Sequence, residues 1–391
     1  MLPPAPGVAR RERRRRRAVR RRRYVVAPVV LLVLVALAVL GAQLRSSPSH
    51  RRSAARVPAV APPPAAAPGV PSLLLAHRAA NGRVDLATVV GVAAGGHNAS
   101  VVLVPTLTAA ETPSFDPQLI ADLLNLGPTQ LLQTTVENLM GVRIDQTAVL
   151  DDATLSALMQ AAGPLSVRLR DPVPVLNDPQ GRVYPAGDQE LAPQDATTLL
   201  TTTVSTGELD HLVAVQAVFE GWLRALRSPQ AATLSTTRVP QLASLVAAAQ
   251  ASTTFSTLPV TNLGGQGDER YQVRTDALGP AMQTAFPGRL LGIGGRRPRV
   301  EILDGTGVPG LAQQVAAVVV PAGGDVVKTG NAQQFGQAST QVVYYRDSAR
   351  AQAESLLAAL GAGTVLKEPT DIGVFDITVI AGADFKSPPG T

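Results

Sequence analysis

The sequence predicts an α/β protein with a single N-terminal transmembrane helix, and three observations support this fold class. An uncharged run, Tyr24–Ala42, directly follows a dense cluster of arginines. After residue 71, short apolar runs typical of buried strands alternate with amphipathic patterns typical of helices. The 391 residues include no Cys, which excludes a disulfide framework and Cys-ligated metal centres. This length allows two or three domains.

The positive charge is concentrated in residues 1–23, which hold 11 Arg and the single acid Glu12. Residues 24–43 are predicted as the transmembrane helix, because about 19 residues rising about 1.5 Å each span the hydrocarbon layer of a bilayer. Arginines on the N-terminal side of this helix place the tail in the cytoplasm and the rest of the chain outside the cell.

Two alternatives apply to this N-terminal region. The apolar run could be a signal peptide that is cleaved, and the arginines could bind nucleic acid through its phosphates. The run is longer than a signal peptide needs, and an arginine cluster beside a membrane helix sets orientation and contacts anionic headgroups. We therefore predict a retained single-pass helix in contact with membrane lipid, and no nucleic-acid partner.

Residues 44–71 are rich in Pro and Ala and lack a periodic apolar pattern, which is typical of a semi-extended stalk. An α/β domain is expected over residues 72–230, where apolar strand patterns precede four helical patterns, at Pro117–Leu126, Thr129–Met140, Asp151–Ala162 and Leu209–Arg227. Residues 231–296, rich in Thr, Ser, Gln and Gly, are expected to form an extension with one or two helices on the back of that domain.

Residues 297–386 alternate regularly between strand and helix patterns, which predicts a small βαββαβ sandwich with two helices on one face of a sheet. The expected strands are Arg299–Leu303, Asp325–Lys328, Gln341–Tyr345 and Phe375–Ala381, and the expected helices are Gly310–Val320 and Ser348–Leu360.

A glycine motif lies inside this sandwich. Gly305-Thr306-Gly307-Val308-Pro309-Gly310 fits the G-x-G-x-x-G dinucleotide fingerprint, and Asp325 follows at the fingerprint's usual distance. However, the acid begins the second strand instead of ending it, and about 90 residues are too few for a doubly wound dinucleotide domain. We interpret the motif as a tight strand-to-helix turn that needs glycine conformations.

This C-terminal block resembles the C-terminal domain of LytR-CpsA-Psr cell-envelope proteins over nearly all of residues 297–386. The resemblance is carried by Val300–Gly307, Gly310-Leu311-Ala312, Gly323–Val327, Val342–Tyr345 and Ile377–Phe385. Asp304-Gly305 departs from the Asn-Gly that is usual at the end of the first strand. The resemblance implies a location at the cell envelope more than a chemistry.

Residues 72–230 resemble the catalytic domain of the same family, which transfers glycopolymers from polyprenyl-pyrophosphate carriers to peptidoglycan. Arg83-Val84-Asp85 is similar to the family's R-x-D motif, and Val136–Val142 with Ile144-Asp145 is similar to its helix and following strand. The resemblance implies a pocket in which Arg groups bind pyrophosphate and carboxylates hold Mg²⁺.

Most of the charges that such a pocket requires are missing from this sequence. Val104-Pro105-Thr106-Leu107 stands where the family has Pro-Arg-Asp, Leu200–Val204 where it has an R-x-R pair, and Leu212–Gln216 where it has two Arg before a Gln. Arg83 and Asp85 remain as candidate catalytic residues, and Asp85 as a candidate metal ligand. A surface or structural ion pair is the alternative role for both.

We therefore expect a non-catalytic, membrane-anchored, extracytoplasmic protein of the cell envelope, without a cofactor. It would bind wall polymer, a polyprenyl-linked precursor or an envelope protein. The alternative is a divergent phosphotransferase that uses Arg83, Asp85 and Mg²⁺. Other enzyme sites find no support, because His77, His97 and His211 lack metal-ligand spacing and the neighbours Asp210 and His211 diverge on a helix.

Overall fold

The computed structural model describes residues 69–175, 181–201, 207–265, 268–292, 296–370 and 373–387. The predicted cytoplasmic tail, the transmembrane helix at 24–43 and nearly all of the stalk lie outside these residues. Within the described ranges, no helix has both the length and the apolar character that a bilayer crossing requires.

Residues 69–292 fold into a layered α/β arrangement. Its strands in chain order are β1 (Leu73–Arg78), β2 (Val84–Val92), β3 (Asn98–Leu103), β4 (Ala109–Ala110), β5 (Gln118–Leu119), β6 (Gln146–Leu150), β7 (Leu165–Leu169), β8 (Val173–Pro174), β9 (Val183–Tyr184), β10 (Gly187–Leu191), β11 (Ser252–Thr257), β12 (Val260–Asn262) and β13 (Tyr271–Val273). Its helices are α1 (Leu123–Leu126), α2 (Thr129–Met140), α3 (Asp152–Ala162), α4 (Pro193–Thr201), α5 (Glu208–Ala225), α6 (Pro229–Arg238), α7 (Ala243–Gln250) and α8 (Thr275–Ala285), with 3-10 turns at Ile120–Asp122 and Pro240–Leu242.

The central sheet has the strand order β11-β3-β2-β1-β6. Strands β1, β2 and β3 form an antiparallel meander, while β6 pairs in parallel with β1 and β11 in parallel with β3. Residues 69–292 also contain short two-stranded ribbons, namely β4–β5, β7–β10, β8–β9 and β12–β13.

Both faces of the central sheet are covered. Leu73 and Leu75 of β1 belong to the core cluster that also holds Phe219 and Trp222 of α5, whereas Leu74 lies in the cluster on the opposite face. In a strand that is buried on both faces, apolar residues occupy successive positions instead of alternating with polar residues. This explains why the start of β1 is a continuous apolar run.

Residues 231–296 differ from the expected extension, because they complete the central sheet. Strand β11 pairs with β3 over six residues, from Ser252 opposite Asn98 to Thr257 opposite Leu103. Helix α7 and the end of α8 add fully buried side chains to the two core clusters, among them Leu245 and Phe286. The segment is therefore an integral part of the α/β layer structure.

Most helix boundaries agree with the local signals in the sequence. Helix α2 has the predicted bounds, and α3 begins after Asp151, whose carboxylate accepts a hydrogen bond from the Thr154 N–H at 2.8 Å. The pattern at 117–126 differs, because it forms β5, a 3-10 turn and the short helix α1 instead of one helix.

The C-terminal part, residues 296–387, contains β14 (Arg299–Asp304), α9 (Leu311–Val319), β15 (Asp325–Asn331), β16 (Gln341–Tyr344), a 3-10 turn at Asp347–Ala349, α10 (Arg350–Leu360), β17 (Thr364–Lys367) and β18 (Ile377–Ala381). The sheet order is β15-β14-β18-β16-β17. The predicted βαββαβ order is corrected to βαββαββ, because β17 is an additional edge strand. Its exposed ends and half-buried middle give it no clear apolar signal.

The glycine motif forms the tight turn that the sequence predicts. One carboxylate oxygen of Asp304 accepts hydrogen bonds from the N–H groups of Thr306 and Gly307, at 2.7 and 3.0 Å. Gly307 and Gly310 have φ angles of 83° and 82°, which L side chains rarely adopt. The N–H groups of Thr306 and Gly307 are therefore already bound by the chain.

The C-terminal part is joined to α2 by a buried polar contact. The side-chain amide of Asn138 donates to the carbonyl of Val326 at 2.8 Å and accepts from its N–H at 3.0 Å. The Arg297 guanidinium donates to the Asn138 Oδ1 at 2.6 Å and to the carbonyl of Gly324 at 2.6 Å. Asn138 thus takes the place of a neighbouring strand along the edge of β15.

Candidate functional site

Arg83 and Asp85, the two candidates from the sequence, lie where the hairpin of β1 and β2 begins. His77 is paired with Leu86 and Arg78 with Val84, so Asp85 is an extra residue in β2. A bulge of this kind redirects a side chain. It brings one oxygen of the Asp85 carboxylate to 2.7 Å from the Nδ1 atom of His77.

His77 lies between two carboxylates. Its side chain is 1% exposed, and its Nε2 atom lies 3.2 Å from the Oδ1 atom of Asp152, a residue at the start of α3 that is 69% exposed. The geometry at Nε2 does not satisfy a hydrogen bond. An imidazole oriented by a carboxylate can act as a base, but this one is buried and faces a second carboxylate instead of a nucleophile.

Arg83 has a different partner. Its Nε atom lies 3.0 Å from the Oδ1 atom of Asp122, and both side chains are more than one-third exposed. Exposed pairs of this kind contribute about 0–1 kcal/mol to stability. The structure therefore does not bring Arg83 and Asp85 together on one ligand position.

In the described part of the chain, the ion-pair partner of Asp85 is His77 and not an Arg or Lys, and the charge of Asp85 also raises the pKa of the buried His211 imidazole against the effect of burial. The positions after residue 69 that fall outside the described ranges contain neither Arg nor Lys. Among the described residues, Asp85 is therefore not surrounded by several guanidinium groups.

The loop after β3, where the resemblance would place Pro-Arg-Asp, binds a carboxylate of the chain itself. One oxygen of Glu208 accepts hydrogen bonds from the Thr106 N–H and, at 2.7 Å, from the Thr106 hydroxyl. The other oxygen accepts from the Leu107 N–H at 3.1 Å. Sequence reasoning missed Glu208, since 102 positions separate it from Thr106.

The surroundings of Glu208 are acidic. Burial raises its pKa above the ordinary value, the hydrogen bonds from Thr106 and Leu107 lower it, and the charge of Glu269 raises it. The Glu208 N–H donates to the Oε2 atom of Glu269 at 3.1 Å. Burial and the charges of both glutamates also raise the pKa of the Tyr271 phenol.

Two further segments of the pocket that the resemblance implies are apolar. Leu212 and Val215 of α5, which stand where the resemblance would place arginines, are buried in the main core cluster. Leu200 is also fully buried there. Arginine at these positions would have to be accommodated inside a packed core.

His211 and His97 differ in their surroundings. His211 Nε2 lies 2.7 Å from the carbonyl of Leu199 and is buried, which lowers the pKa of the imidazole. Asp210 and His97 are exposed. Within the described residues, no set of three or more His, Asp or Glu side chains is arranged to hold a metal ion.

A cleft of about 240 Å³ lies between α5 and the loop after β7. Arg170, Asp171 and Asp210 provide its polar lining, and Pro172 and Val213 part of its apolar lining. Arg83 and Asp85 do not line this cleft. The cavity and the candidate residues from the sequence are therefore separate features.

Comparisons with known proteins give one family match and several similar folds. Residues 297–385 match the family model described as LytR cell envelope-related transcriptional attenuator. No curated protein is detectably similar to the chain in sequence.

Among solved structures, TagV of B. subtilis is 14% identical with a TM-score of 0.45, over 55% of this chain and 94% of TagV. A LytR-Csp2A-Psr enzyme from Actinomyces oris is 14% identical with a TM-score of 0.45, over 55% of this chain and 89% of the enzyme. TagT bound to LI-WTA, a protein also solved from B. subtilis, is 13% identical with a TM-score of 0.45, over 55% and 88% of the two chains.

The expected family of the C-terminal block is thus confirmed. Its extent agrees with the predicted 297–386 to within one residue. Residues 297–385 of this chain therefore form a domain of the LytR C-terminal type.

Proposed function

We propose that this chain is a membrane-anchored, extracytoplasmic protein of the cell envelope with a LytR-CpsA-Psr-like first domain that binds without catalysing transfer. Its ligand would be wall polymer, a polyprenyl-linked precursor or an envelope-assembly protein. The C-terminal LytR domain supports the envelope location, and the arginine-flanked apolar run at 24–43 supports the anchor.

The observation that carries this proposal is that the polar groups named at the expected diphosphate site have intramolecular partners. Asp85 is bound by His77, Arg83 by Asp122, and the N–H groups of Thr106 and Leu107 by Glu208. A charge-assisted hydrogen bond contributes about 1.5–3 kcal/mol. A diphosphate without several such bonds would lack the stabilisation that transfer requires.

A transfer assay on the full chain in detergent tests this proposal. The chain is incubated with a polyprenyl-pyrophosphate-linked saccharide, peptidoglycan acceptor and Mg²⁺, and consumption of the lipid substrate is measured. We expect the lipid substrate to be consumed as slowly as in buffer without the protein. In parallel, binding is measured by sedimentation with purified cell-wall sacculi and with vesicles that contain the lipid-linked saccharide. We expect the chain to bind at least one of these two.

The alternative, a divergent phosphotransferase that uses Arg83, Asp85 and Mg²⁺, predicts a different outcome. Turnover would be present and Asp85→Ala would abolish it. Asp152→Ala is the matched control, because Asp152 contacts the same His77 ring but is not a candidate site residue. Turnover that is lost in Asp85→Ala and kept in Asp152→Ala would establish the alternative.

A further inference from the structure

The cleft between α5 and the loop after β7 has no part in the chemistry considered so far. Its volume is about 240 Å³, and most of its lining is apolar, including Leu169, Pro172 and Val213. Three charged side chains, Arg170, Asp171 and Asp210, also line it. Binding pockets combine an apolar surface with a few polar groups that fix the orientation of the ligand. The lining of this cleft has that composition.

The charged side chains of the cleft are not used by the fold. Two residues before Arg170, the Nη1 atom of Arg168 lies 3.9 Å from the Oδ1 atom of Asp188 on β10. In contrast, Arg170, Asp171 and Asp210 form neither an ion pair nor a side-chain hydrogen bond with any residue in the described part of the chain. Their charges therefore remain available to a ligand.

Helix α5 also presents apolar side chains to solvent at this cleft. Val213 is 42% exposed, and Leu209, one turn earlier on the same face of the helix, is 37% exposed. The neighbouring Leu212 and Val215 are buried in the core. Adjoining apolar side chains that stay exposed beside polar ones mark binding surfaces. A ligand with methyl or methylene groups would remove Val213 from water.

The charges indicate which ligand fits. A guanidinium binds a carboxylate through two parallel N–H bonds, so Arg170 favours a ligand that carries a carboxylate. An ammonium group has three donors and no acceptor, so the carboxylates of Asp171 and Asp210 favour a ligand that also carries an amine. Two carboxylates against one guanidinium repel a ligand that is only anionic, such as a diphosphate.

The volume limits the length of the ligand. Pockets for drug-sized molecules measure about 300–1,000 Å³, and this cleft is smaller. It can therefore hold the end of a short chain and not a long polymer strand. A neutral saccharide would leave the three charges of the cleft without partners. A short peptide end supplies an amine, a carboxylate and aliphatic groups together.

We infer that this cleft binds the end of a short peptide that carries both an amine and a terminal carboxylate. Arg170 holds the carboxylate, Asp171 and Asp210 hold the ammonium group, and Val213 contacts the aliphatic part. The peptides of peptidoglycan carry these groups and end in D-amino acids, whereas protein chains contain L-amino acids. The inference rests on the proposed envelope role and specifies the peptide part of the wall polymer as the ligand.

Isothermal titration calorimetry with the full chain in detergent tests this inference. The probe is N-acetyl-Lys-Ala-Ala with two D-alanines, which has an ammonium on the lysine side chain and a carboxylate at its end. Three matched peptides each change one feature: an acetylated lysine side chain, a terminal amide, or L-alanines. We expect the probe to bind, and each peptide that lacks one charge to bind about tenfold more weakly because it loses charge-assisted hydrogen bonds. The L-alanine peptide should also bind more weakly than the probe.

Variants of the chain assign each charge to its partner. Arg170→Gln should weaken binding of the probe about tenfold and leave binding of the amide peptide unchanged. Asp210→Asn should weaken binding of the probe to the same degree and leave binding of the acetylated peptide unchanged. Arg168→Gln is the matched control, since Arg168 is exposed on β7 outside the cleft, and it should bind every peptide as the wild type does.

Three results would overturn the inference: no binding of the D-alanine probe, equal or tighter binding of the L-alanine peptide, or equal weakening by Arg168→Gln and Arg170→Gln. Sedimentation with sacculi separates this inference from the proposed function. A chain that binds sacculi but not the probe contradicts the inference alone. A chain that binds the probe but not sacculi contradicts wall polymer as the ligand, and with it the source of the peptide.

Discussion

Glu137 in α2 shows how strongly burial shifts the pKa of one side chain. It is 2% exposed, and its Oε1 atom accepts a hydrogen bond from the Ile144 N–H at 2.7 Å. Burial raises its pKa to about 7, although the Ile144 hydrogen bond and the charge of Arg143 act in the opposite direction. At neutral pH this glutamate is therefore partly protonated inside the folded domain.

A pH dependence of stability follows from this shift. The folded state binds a proton at Glu137 more tightly than the unfolded chain does, so the stabilisation is complete below about pH 4.5 and is lost as the pH rises through about 7. One pKa unit corresponds to about 1.4 kcal/mol, which limits the loss to about 3 kcal/mol.

Urea unfolding at pH 5 and pH 8 measures this effect in the wild type and in Glu137→Gln. The glutamine keeps an oxygen acceptor for Ile144 and cannot ionise. We expect the wild type to lose more stability than the variant between the two pH values. Equal losses would show that Glu137 does not titrate in this range.

Asp85 and His77 show what sequence reasoning could reach at the residue scale. The sequence identified Asp85 as a site candidate, but its contact with His77 depends on a bulge of one residue in β2. The period of a strand pattern does not reveal such a bulge. The Glu208–Thr106 contact was equally hidden, because it joins two elements that are distant in the chain.

The edge strand β11 is the main difference between expected and observed elements. Its sequence, STTFST, is mostly polar and largely exposed, and the sequence of a polar edge strand resembles that of a loop. In contrast, the apolar strands β1 to β3 and the helices α2 and α3 were predicted, because burial on one or both faces leaves a clear periodic pattern.

The role of β11 predicts how the chain can be truncated. A fragment of residues 69–230 lacks β11, α7 and α8 and exposes the edge of β3, so we expect it to aggregate or remain unfolded. A fragment of residues 69–292 contains both core clusters of the α/β layers, including Leu245 and Phe286, and should melt cooperatively in circular dichroism. A shorter fragment that melts as cooperatively as the longer one would contradict this role.

Helix α5 contains the single Trp of the chain. Trp222 is fully buried, its ring centroid lies 5.6 Å from that of Phe219, and its Nε1 atom has no hydrogen-bond partner among the described residues. Trp222→Ala should cost about 3–5 kcal/mol, as large-to-small core changes do.

Trp222→Phe is the informative comparison, because it keeps most of the apolar volume and loses no hydrogen bond. We expect its cost in urea unfolding to be less than half that of the alanine variant. A phenylalanine variant as unstable as the alanine variant would mean that the indole N–H has a partner after all.

The two parts of the folded chain are joined at the scale of the whole molecule by Asn138 and Arg297. Truncating Asn138 to Ala would leave the N–H and carbonyl of Val326 and the Arg297 guanidinium without this partner. A buried group that loses its hydrogen-bond partner costs about 1–3 kcal/mol. We therefore expect Asn138→Ala to lower the free energy of unfolding by about 2–4 kcal/mol.

Hydrogen exchange can locate this loss at the contact between the parts. The amide of Val326 should exchange faster in Asn138→Ala than in the wild type, because its acceptor is removed. Thr329→Val is the control, since it removes an exposed hydrogen bond from the Ser114 N–H across the same contact and should have little effect. Unchanged exchange at Val326 would show that Asn138 does not hold the two parts together.

The central claim is that the positions expected to bind a diphosphate are satisfied within the chain and no longer support transfer. A single-turnover experiment tests this claim most directly, with the full chain in excess over a polyprenyl-pyrophosphate-linked saccharide, Mg²⁺ and peptidoglycan present, and product followed over hours. We expect no transfer above that of the protein-free reaction. Transfer that Asp85→Ala abolishes and Asp152→Ala leaves intact would contradict it.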